Sequence, residues 1–156
     1  MPDTRFEHAD LDGRSRPQSI TPPQANAEVA GKDPAVRAVA ALHRAWLSDD
    51  RDDLEQACVD RTESAWFLRM AIRDGSRVNG HVSADLALLA DVLRRSGDCD
   101  GAITVARRGL SSGPPDGVGW LLLCQLRLAR AGDERRHDIG EALAGQIDAD
   151  AAGDRR

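Results

Sequence analysis

Residues 83–115, SADLALLADVLRRSGDCDGAITVARRGLSSGPP, contain the pattern that decides the fold of this chain. Apolar residues three and four positions apart form one face of a helix, and leucines such as Leu86 and Leu89 supply that face. Gly97 follows with the freedom to take the left-handed backbone that ends many helices. Asp98, directly after it, has a side chain that can cap a second helix. The stretch therefore predicts two antiparallel helices joined by a tight turn.

Eight positions of this hairpin carry small or apolar residues or proline at fixed spacings: Leu86, Leu89, Ala90, Leu93, Ala102, Ala106, Gly109 and Pro114. Their pattern resembles the signature of the tetratricopeptide repeat. The Gly-Asp pair at 132–133 recurs 35 residues after the pair at 97–98, close to the period of about 34 residues in that family. The resemblance implies stacked helical hairpins that bind another polypeptide.

A first helical pair is predicted upstream of this repeat. Asp33 before Pro34 is a strong helix start, because the carboxylate can cap the first turn and proline needs no amide partner there. One predicted apolar face of this helix consists of Val36, Val39, Ala40, Leu42, His43, Trp46 and Leu47. Residues 53–73 predict one long helix or two, since Asp60 and Glu63 have the spacing of a capping box.

A last helix is expected at 134–147, paired with the apolar run at 118–131. The chain is therefore predicted to be all-α, a tetratricopeptide-like stack of about three antiparallel hairpins. This helical-repeat domain would cover residues 33–147, between a disordered polar tail at 1–32 and a flexible tail at 148–156. An ordinary helical bundle with a coincidental period is the alternative.

The run at 118–131 is apolar nearly all the way round, through Trp120, Leu121, Leu122, Leu123, Cys124, Leu126, Leu128 and Ala129. A helix of this kind must be covered on every side, and a repeat stack covers only part of it. We therefore expect an amphipathic helix of a protein partner to lie in an apolar groove against it. Two alternatives are that the helix at 134–147 folds back over it, or that a second copy covers it in a homodimer.

The extra residue in the repeat period leaves the helical frame of this run open. Either Leu122 and Leu126 or Leu121 and Gln125 face the groove. The matching positions of the preceding hairpin are Ala84, Ala87, Asp91 and Arg94. The candidate partner-binding residues are therefore Trp120, Leu121, Leu122, Leu126, Leu128, Asp91 and Arg94.

Within this run, residues 120–128 have the form W-L-x-L-C-x-x-R-L. Together with the turn at 97–98, this motif resembles the small tetratricopeptide-type chaperones that hold the needle subunit of type III secretion systems. The resemblance implies that the concave face wraps the amphipathic C-terminal helix of that subunit and keeps it from polymerising in the cytosol. It also implies packing or groove contacts for Trp120, Leu122, Leu126 and Leu128. Chaperones for translocator proteins of the same systems use the same repeat.

Composition argues against several other classes of protein. The formal net charge is −5, and acids flank the cluster of arginines at 94–95 and 107–108, so nucleic-acid binding is not expected. The chain has no apolar run that predicts a signal peptide or a membrane-spanning helix. We therefore expect a cytoplasmic protein that does not insert into a membrane.

The sequence does not predict an enzyme, a metal site or a cofactor. Its four histidines lack the spacing of metal ligands: His8, His43, His81 and His137. The three cysteines, Cys58, Cys99 and Cys124, lack the paired spacing of zinc or redox motifs. No nucleophile, base and orienting group can be placed together from the sequence.

Overall fold

The computed structural model describes residues 33–137, and this part of the chain is all-α, as predicted. Its five helices are α1 Pro34–Asp49, α2 Leu54–Asp74, α3 Val82–Arg95, α4 Cys99–Ser111 and α5 Asp116–Arg130. None of these helices combines the length and apolar character needed to cross a membrane. The predictions for residues 1–32, 138–147 and 148–156 lie outside the described residues.

The helix ends follow the local signals in the sequence. The Asp33 carboxylate accepts a hydrogen bond from the amide of Ala35 at 2.8 Å and caps α1. Gly97 has a φ of +87°, and the Asp98 carboxylate caps α4 by accepting from the amide of Gly101 at 2.8 Å. Each of these ends depends only on residues within a few positions of it, which is why sequence patterns predicted them.

The segment 54–74 is one uninterrupted helix, α2. Asp60, a candidate cap of a second helix, instead lies buried on α2 and accepts hydrogen bonds from Arg44 Nε at 3.0 Å and from Gln56 at 3.2 Å. The carboxylate therefore joins α2 to α1, and the backbone amides around it stay in the helix.

The helices pack as two hairpins, α1 with α2 and α3 with α4. α2 packs on α3 and joins the hairpins, while α5 packs on both α3 and α4. The predicted partner helix of α5 falls mostly outside the described residues, and the tetratricopeptide-like stack remains a prediction. An apolar cluster fills the space among α3, α4 and α5. It consists of Ala87, Ala90, Ala106, Leu122 and Leu126.

The apolar face predicted for α1 is wrong in most of its large members. α1 turns a row of small side chains inward, and its buried residues are Ala35, Ala38, Ala41, Leu42, Ala45 and Ser48. Val36, Trp46 and Leu47 are instead 55%, 43% and 54% exposed. Alanines on the inner side let α1 lie close to α2, and this close approach leaves the larger side chains on the outer side.

α5 lies very close to α4 at Gly109. A Cβ atom added to Gly109 would lie 2.6 Å from Leu122 Cδ2, well inside van der Waals contact. Leu122 is fully buried, so it has little room to move away. α5 can therefore pack this close to α4 only because residue 109 is a glycine.

We predict that Gly109→Ala destabilises the protein by about 1 to 3 kcal/mol, because the added methyl group overpacks the core against Leu122. Gly117→Ala is the matched control, since a Cβ there meets no atom within 4 Å and alanine favours the helix by about 0.5 kcal/mol. Urea unfolding followed by circular dichroism measures both changes. Equal effects of the two substitutions would contradict a close approach at Gly109.

Asp49, at the end of α1, links three helices. Its carboxylate at the end of α1 accepts hydrogen bonds from Arg61 on α2 and from Arg95 Nη2 on α3, the latter at 2.7 Å. Burial alone would raise the pKa of the Asp49 carboxyl, but the hydrogen bonds and charges of both arginines outweigh it and hold the pKa below its ordinary value of 3.8. The charged form of Asp49 therefore stabilises the junction of the two hairpins.

We predict that Asp49→Asn lowers the free energy of unfolding by about 3 kcal/mol at neutral pH, because it leaves two buried guanidinium groups without their carboxylate. The native pKa of Asp49 is depressed, so its contribution is present above the unfolded pKa and is lost as the pH falls through the native pKa. The difference in the free energy of unfolding between wild type and variant should therefore shrink as the pH falls below about 4. Denaturant unfolding across pH measures this difference, with the exposed Asp50→Asn as control. A difference that stays constant with pH would contradict the assignment.

Candidate protein-binding groove

An open groove of about 370 Å³ lies between α3 and α5. It is lined by Asn79, Ala84, Ala87, Leu88, Asp91, Leu121, Gln125 and His137. Its apolar part consists of small side chains and a leucine from α3 facing a leucine from α5. Polar side chains stand along one wall and at the ends. This combination of an apolar floor and a polar edge is typical of grooves that hold an amphipathic helix.

Three consecutive leucines of α5 face three different environments. Leu121 is half-buried and lines the groove. Leu122 is fully buried in the core against α4, and Leu123 is 51% exposed on the outer side of the helix. Leu126 is also buried, at 8% exposure. The groove frame of α5 is therefore the one with Leu121 and Gln125, and Leu122 and Leu126 are reassigned from the groove to the core.

Some of the remaining predicted contact residues line the groove, and others do not. From the preceding hairpin, Ala84, Ala87 and Asp91 line the groove as the repeat spacing suggested. Trp120 and Leu128 are half-buried but are not among the residues that line it. A partner in the groove would thus touch Leu121 and Asp91, whereas Trp120 and Leu128 lie elsewhere on α5.

Arg94 is buried beside the groove, with only 1% of its surface exposed. Its Nε donates to Gln125 Oε1 at 2.9 Å, and its Nη2 donates to Asp91 Oδ1 at 2.8 Å. Its Nη1 donates to the backbone carbonyls of Asp133 and Arg135. Because its donors are engaged within the chain, we reassign Arg94 from a partner contact to a structural link among α3, α5 and the turn after α5.

The chain after α5 turns toward the groove. Asp133 accepts hydrogen bonds from Arg135 and makes one with His137 Nε2 at 3.0 Å. The hydrogen bonds from Arg135 hold the pKa of the Asp133 carboxyl far below its usual range. The helix predicted to begin at Glu134 is wrong for residues 134–137, which are not helical, since Arg94 fixes the carbonyls in this turn. As a result His137 lies in the groove wall.

A second buried group positions the far end of the groove. Asp85, 1% exposed on α3, accepts hydrogen bonds from the amides of Val78 and Asn79 at 3.2 and 2.8 Å. It also accepts one from the Asn79 side chain at 3.1 Å. This carboxylate fixes the loop between α2 and α3 and holds Asn79 at the groove. Sequence reasoning missed it, although an acidic residue in the first turn of a predicted helix is a recognisable pattern, because the N-terminal end of a helix favours negative charge.

A metal site and a reactive thiol find little support among the described residues. Among residues 33–137, no group of three His, Cys, Asp or Glu side chains lies close enough together to hold a metal ion. Burial raises the pKa of the Cys99 and Cys124 thiols, which lowers the fraction of reactive thiolate. Comparisons of the chain with protein-family models, curated proteins and solved structures found no match. The assignment of a function therefore depends on the geometry of the groove.

We predict that Arg94→Met destabilises the protein by about 3 to 5 kcal/mol, because it leaves Asp91, Gln125 and two carbonyls without their shared donor. Amide hydrogen exchange in residues 131–137 should become faster, since the turn loses its link to α3. The exposed Arg107→Met is the control for loss of one positive charge. Unchanged exchange in this turn would contradict the role assigned to Arg94.

Proposed function

We propose that this protein is a chaperone or adaptor that holds an amphipathic helix of a protein partner in the groove between α3 and α5. The observation that carries the proposal is that Leu88 and Leu121, from two different helices, face the same open cleft. Both are half-buried, so each still has apolar surface that a ligand can remove from water. Burying a leucine completely contributes about 1.5 to 3 kcal/mol.

The shape of the groove suits a helix better than an extended strand. Ala84 and Ala87 keep the α3 side shallow, and small residues let two helix axes come within about 8 to 10 Å of each other. The groove is bounded by helices, so it offers no sheet edge to which a strand could add. Asp91, Gln125 and His137 give polar groups along its margin, which can hydrogen-bond to the polar side of a bound helix.

The sequence resemblances give this proposal a more specific form. The repeat pattern of α3 and α4 supports a tetratricopeptide-type module, and the motif at 120–128 supports a chaperone of the type III secretion kind. In that form the partner is the C-terminal helix of a secreted needle subunit, and the complex forms in the cytoplasm. The proposal assigns no catalytic residue and no cofactor to the chain.

A homodimeric scaffold is the second candidate function. It is favoured by the outer side of α5, where Leu123 is 51% exposed and Trp120 is half-buried. Val36 and Leu47 on the outer side of α1 are also more than half exposed. Exposed apolar surface of this kind often marks a protein interface. A scaffold of this type would associate through α5 and leave the groove unused.

Aspartate substitutions at the three consecutive leucines of α5 separate these functions. We predict that Leu121→Asp abolishes partner binding with nearly unchanged helicity, because its side chain lines the groove. Leu122→Asp should unfold the domain, because even Leu→Ala in a core costs about 2 to 5 kcal/mol. Leu123→Asp should leave both folding and partner binding intact. Affinity purification from the native host, circular dichroism and light scattering measure the three outcomes.

Two outcomes would contradict the groove proposal. In the first, Leu121→Asp keeps the same co-purified proteins in the same amounts as the wild type. In the second, the wild type is a dimer that recovers only itself, and Leu123→Asp converts the dimer to a monomer. The second outcome would establish the scaffold, with α5 as its interface.

A further inference from the structure

A second cavity, of about 530 Å³, lies where the ends of α1, α2 and α3 meet the chain that follows α5. None of its described lining residues also lines the groove, so the two are separate sites. Asp49, Arg61 and Arg95 form its polar wall, and Leu54 and Cys58 form an apolar wall. The proposed protein-binding function makes no use of this cavity.

The polar wall carries more positive than negative charge in a buried position. The side chains of Arg61, Arg95 and Asp49 are 5%, 9% and 12% exposed. Two guanidinium groups share this single carboxylate, which leaves one positive charge in excess. A buried charge is costly unless it is paired. This wall of the cavity therefore favours the arrival of an anion.

The two arginines also have hydrogen-bond donors that residues 33–137 do not use. Asp49 engages Nη2 of both guanidinium groups. The Nε atoms of Arg61 and Arg95 are buried and have no hydrogen-bond partner in the described part of the chain. Within the described residues, neither Nη1 makes a hydrogen bond. Buried donors without partners are uncommon in folded proteins and call for an explanation, such as a ligand.

The rim of the cavity limits the charge of such a ligand. Asp50, Glu134 and Arg136 are exposed and line the opening, while Arg135 is hydrogen-bonded to Asp133. The two acids at the rim disfavour a dianion such as phosphate. A carboxylate carries one charge and matches the planar guanidinium geometry. The exposed Leu54 and the neighbouring Cys58 give room for a short apolar body beside it.

We propose that this cavity binds a small monocarboxylate, with the carboxylate against Arg61 and Arg95 and an aliphatic body against Leu54 and Cys58. A free short-chain acid and the carboxyl end of a peptide share this chemistry. Butyrate and N-acetylalanine are therefore the two probes that represent these sources. Butyramide, which has the same shape without the charge, and inorganic phosphate are the controls.

The direct test is an NMR titration of the ¹⁵N-labelled full-length protein. The Nε–H resonances of Arg61 and Arg95 should shift and saturate with butyrate or N-acetylalanine. They should not shift with butyramide, and phosphate should bind more weakly. The probe with the higher affinity identifies the source of the carboxylate. Absence of a saturable shift with either carboxylate, or an equal shift with butyramide, would overturn the proposal.

Exposed substitutions at the rim test the electrostatic part without disturbing the core. Glu134→Gln should tighten carboxylate binding by a few-fold, because it removes a negative charge near the excess positive charge of the two arginines. Arg136→Gln should weaken binding by a few-fold, because it removes a positive charge near the same site. Both positions are exposed, so the thermal stability of both variants should match the wild type. Shifts in the same direction for both variants would contradict an electrostatic site.

Two substitutions at buried residues distinguish an effect on ligand binding from an effect on stability. Arg95→Gln and Asp49→Asn both remove the Asp49–Arg95 ion pair, which lies at 2.7 Å, and both should lower stability. Only Arg95→Gln should weaken butyrate binding, by about tenfold or more, since it removes a charged donor. Asp49→Asn should instead tighten butyrate binding, because it frees both arginines. Equal weakening by the two variants would show that the arginines serve the fold alone.

Discussion

The proposed binding groove depends on the hydrogen bonds that the buried guanidinium group of Arg94 donates. A charge inside a protein is tolerated when it is paired and hydrogen-bonded, and Arg94 finds its partners on α3, on α5 and in the turn after α5. The Arg94–Gln125 hydrogen bond therefore helps to set the distance between the two groove walls, together with the apolar cluster among α3, α4 and α5. The same contacts bring the chain after α5 back across the end of α3, so that His137 forms part of the wall.

The sequence was sufficient for features that depend on neighbouring residues. The all-α fold and the ends of α1 and α4 follow from periodicity and from side chains within three positions of each helix end, such as Asp33 and Asp98. It was also sufficient for three residues on the α3 side of the groove, because Ala84, Ala87 and Asp91 lie on one helical face, but it did not single out Leu88. These relations are fixed once the segment is known to be a helix.

The rest of the site depends on contacts between distant parts of the chain. Arg94 occupies a groove position by spacing, but it is buried and donates to the carbonyl of Asp133, which lies 39 positions away. Similarly, Leu122 is the core residue among three adjacent leucines because α5 lies close to α4 at Gly109. On α1, alanines rather than the larger residues face α2, because the two helices lie close together. Periodicity alone does not tell which side of an apolar helix the neighbouring helix will cover.

We propose above all that the groove between α3 and α5 holds a helix of another protein. A photoreactive amino acid at Ala84, inside the groove, and a second at the exposed Arg107 would test this in the native host. We predict that position 84 crosslinks to a peptide of another protein whose apolar residues recur every three and four positions. That crosslink should be absent at position 107 and lost when Leu121→Asp is added. Crosslinks from position 84 only to a second copy of this chain, or to its own residues 138–156, would contradict a groove that binds another protein.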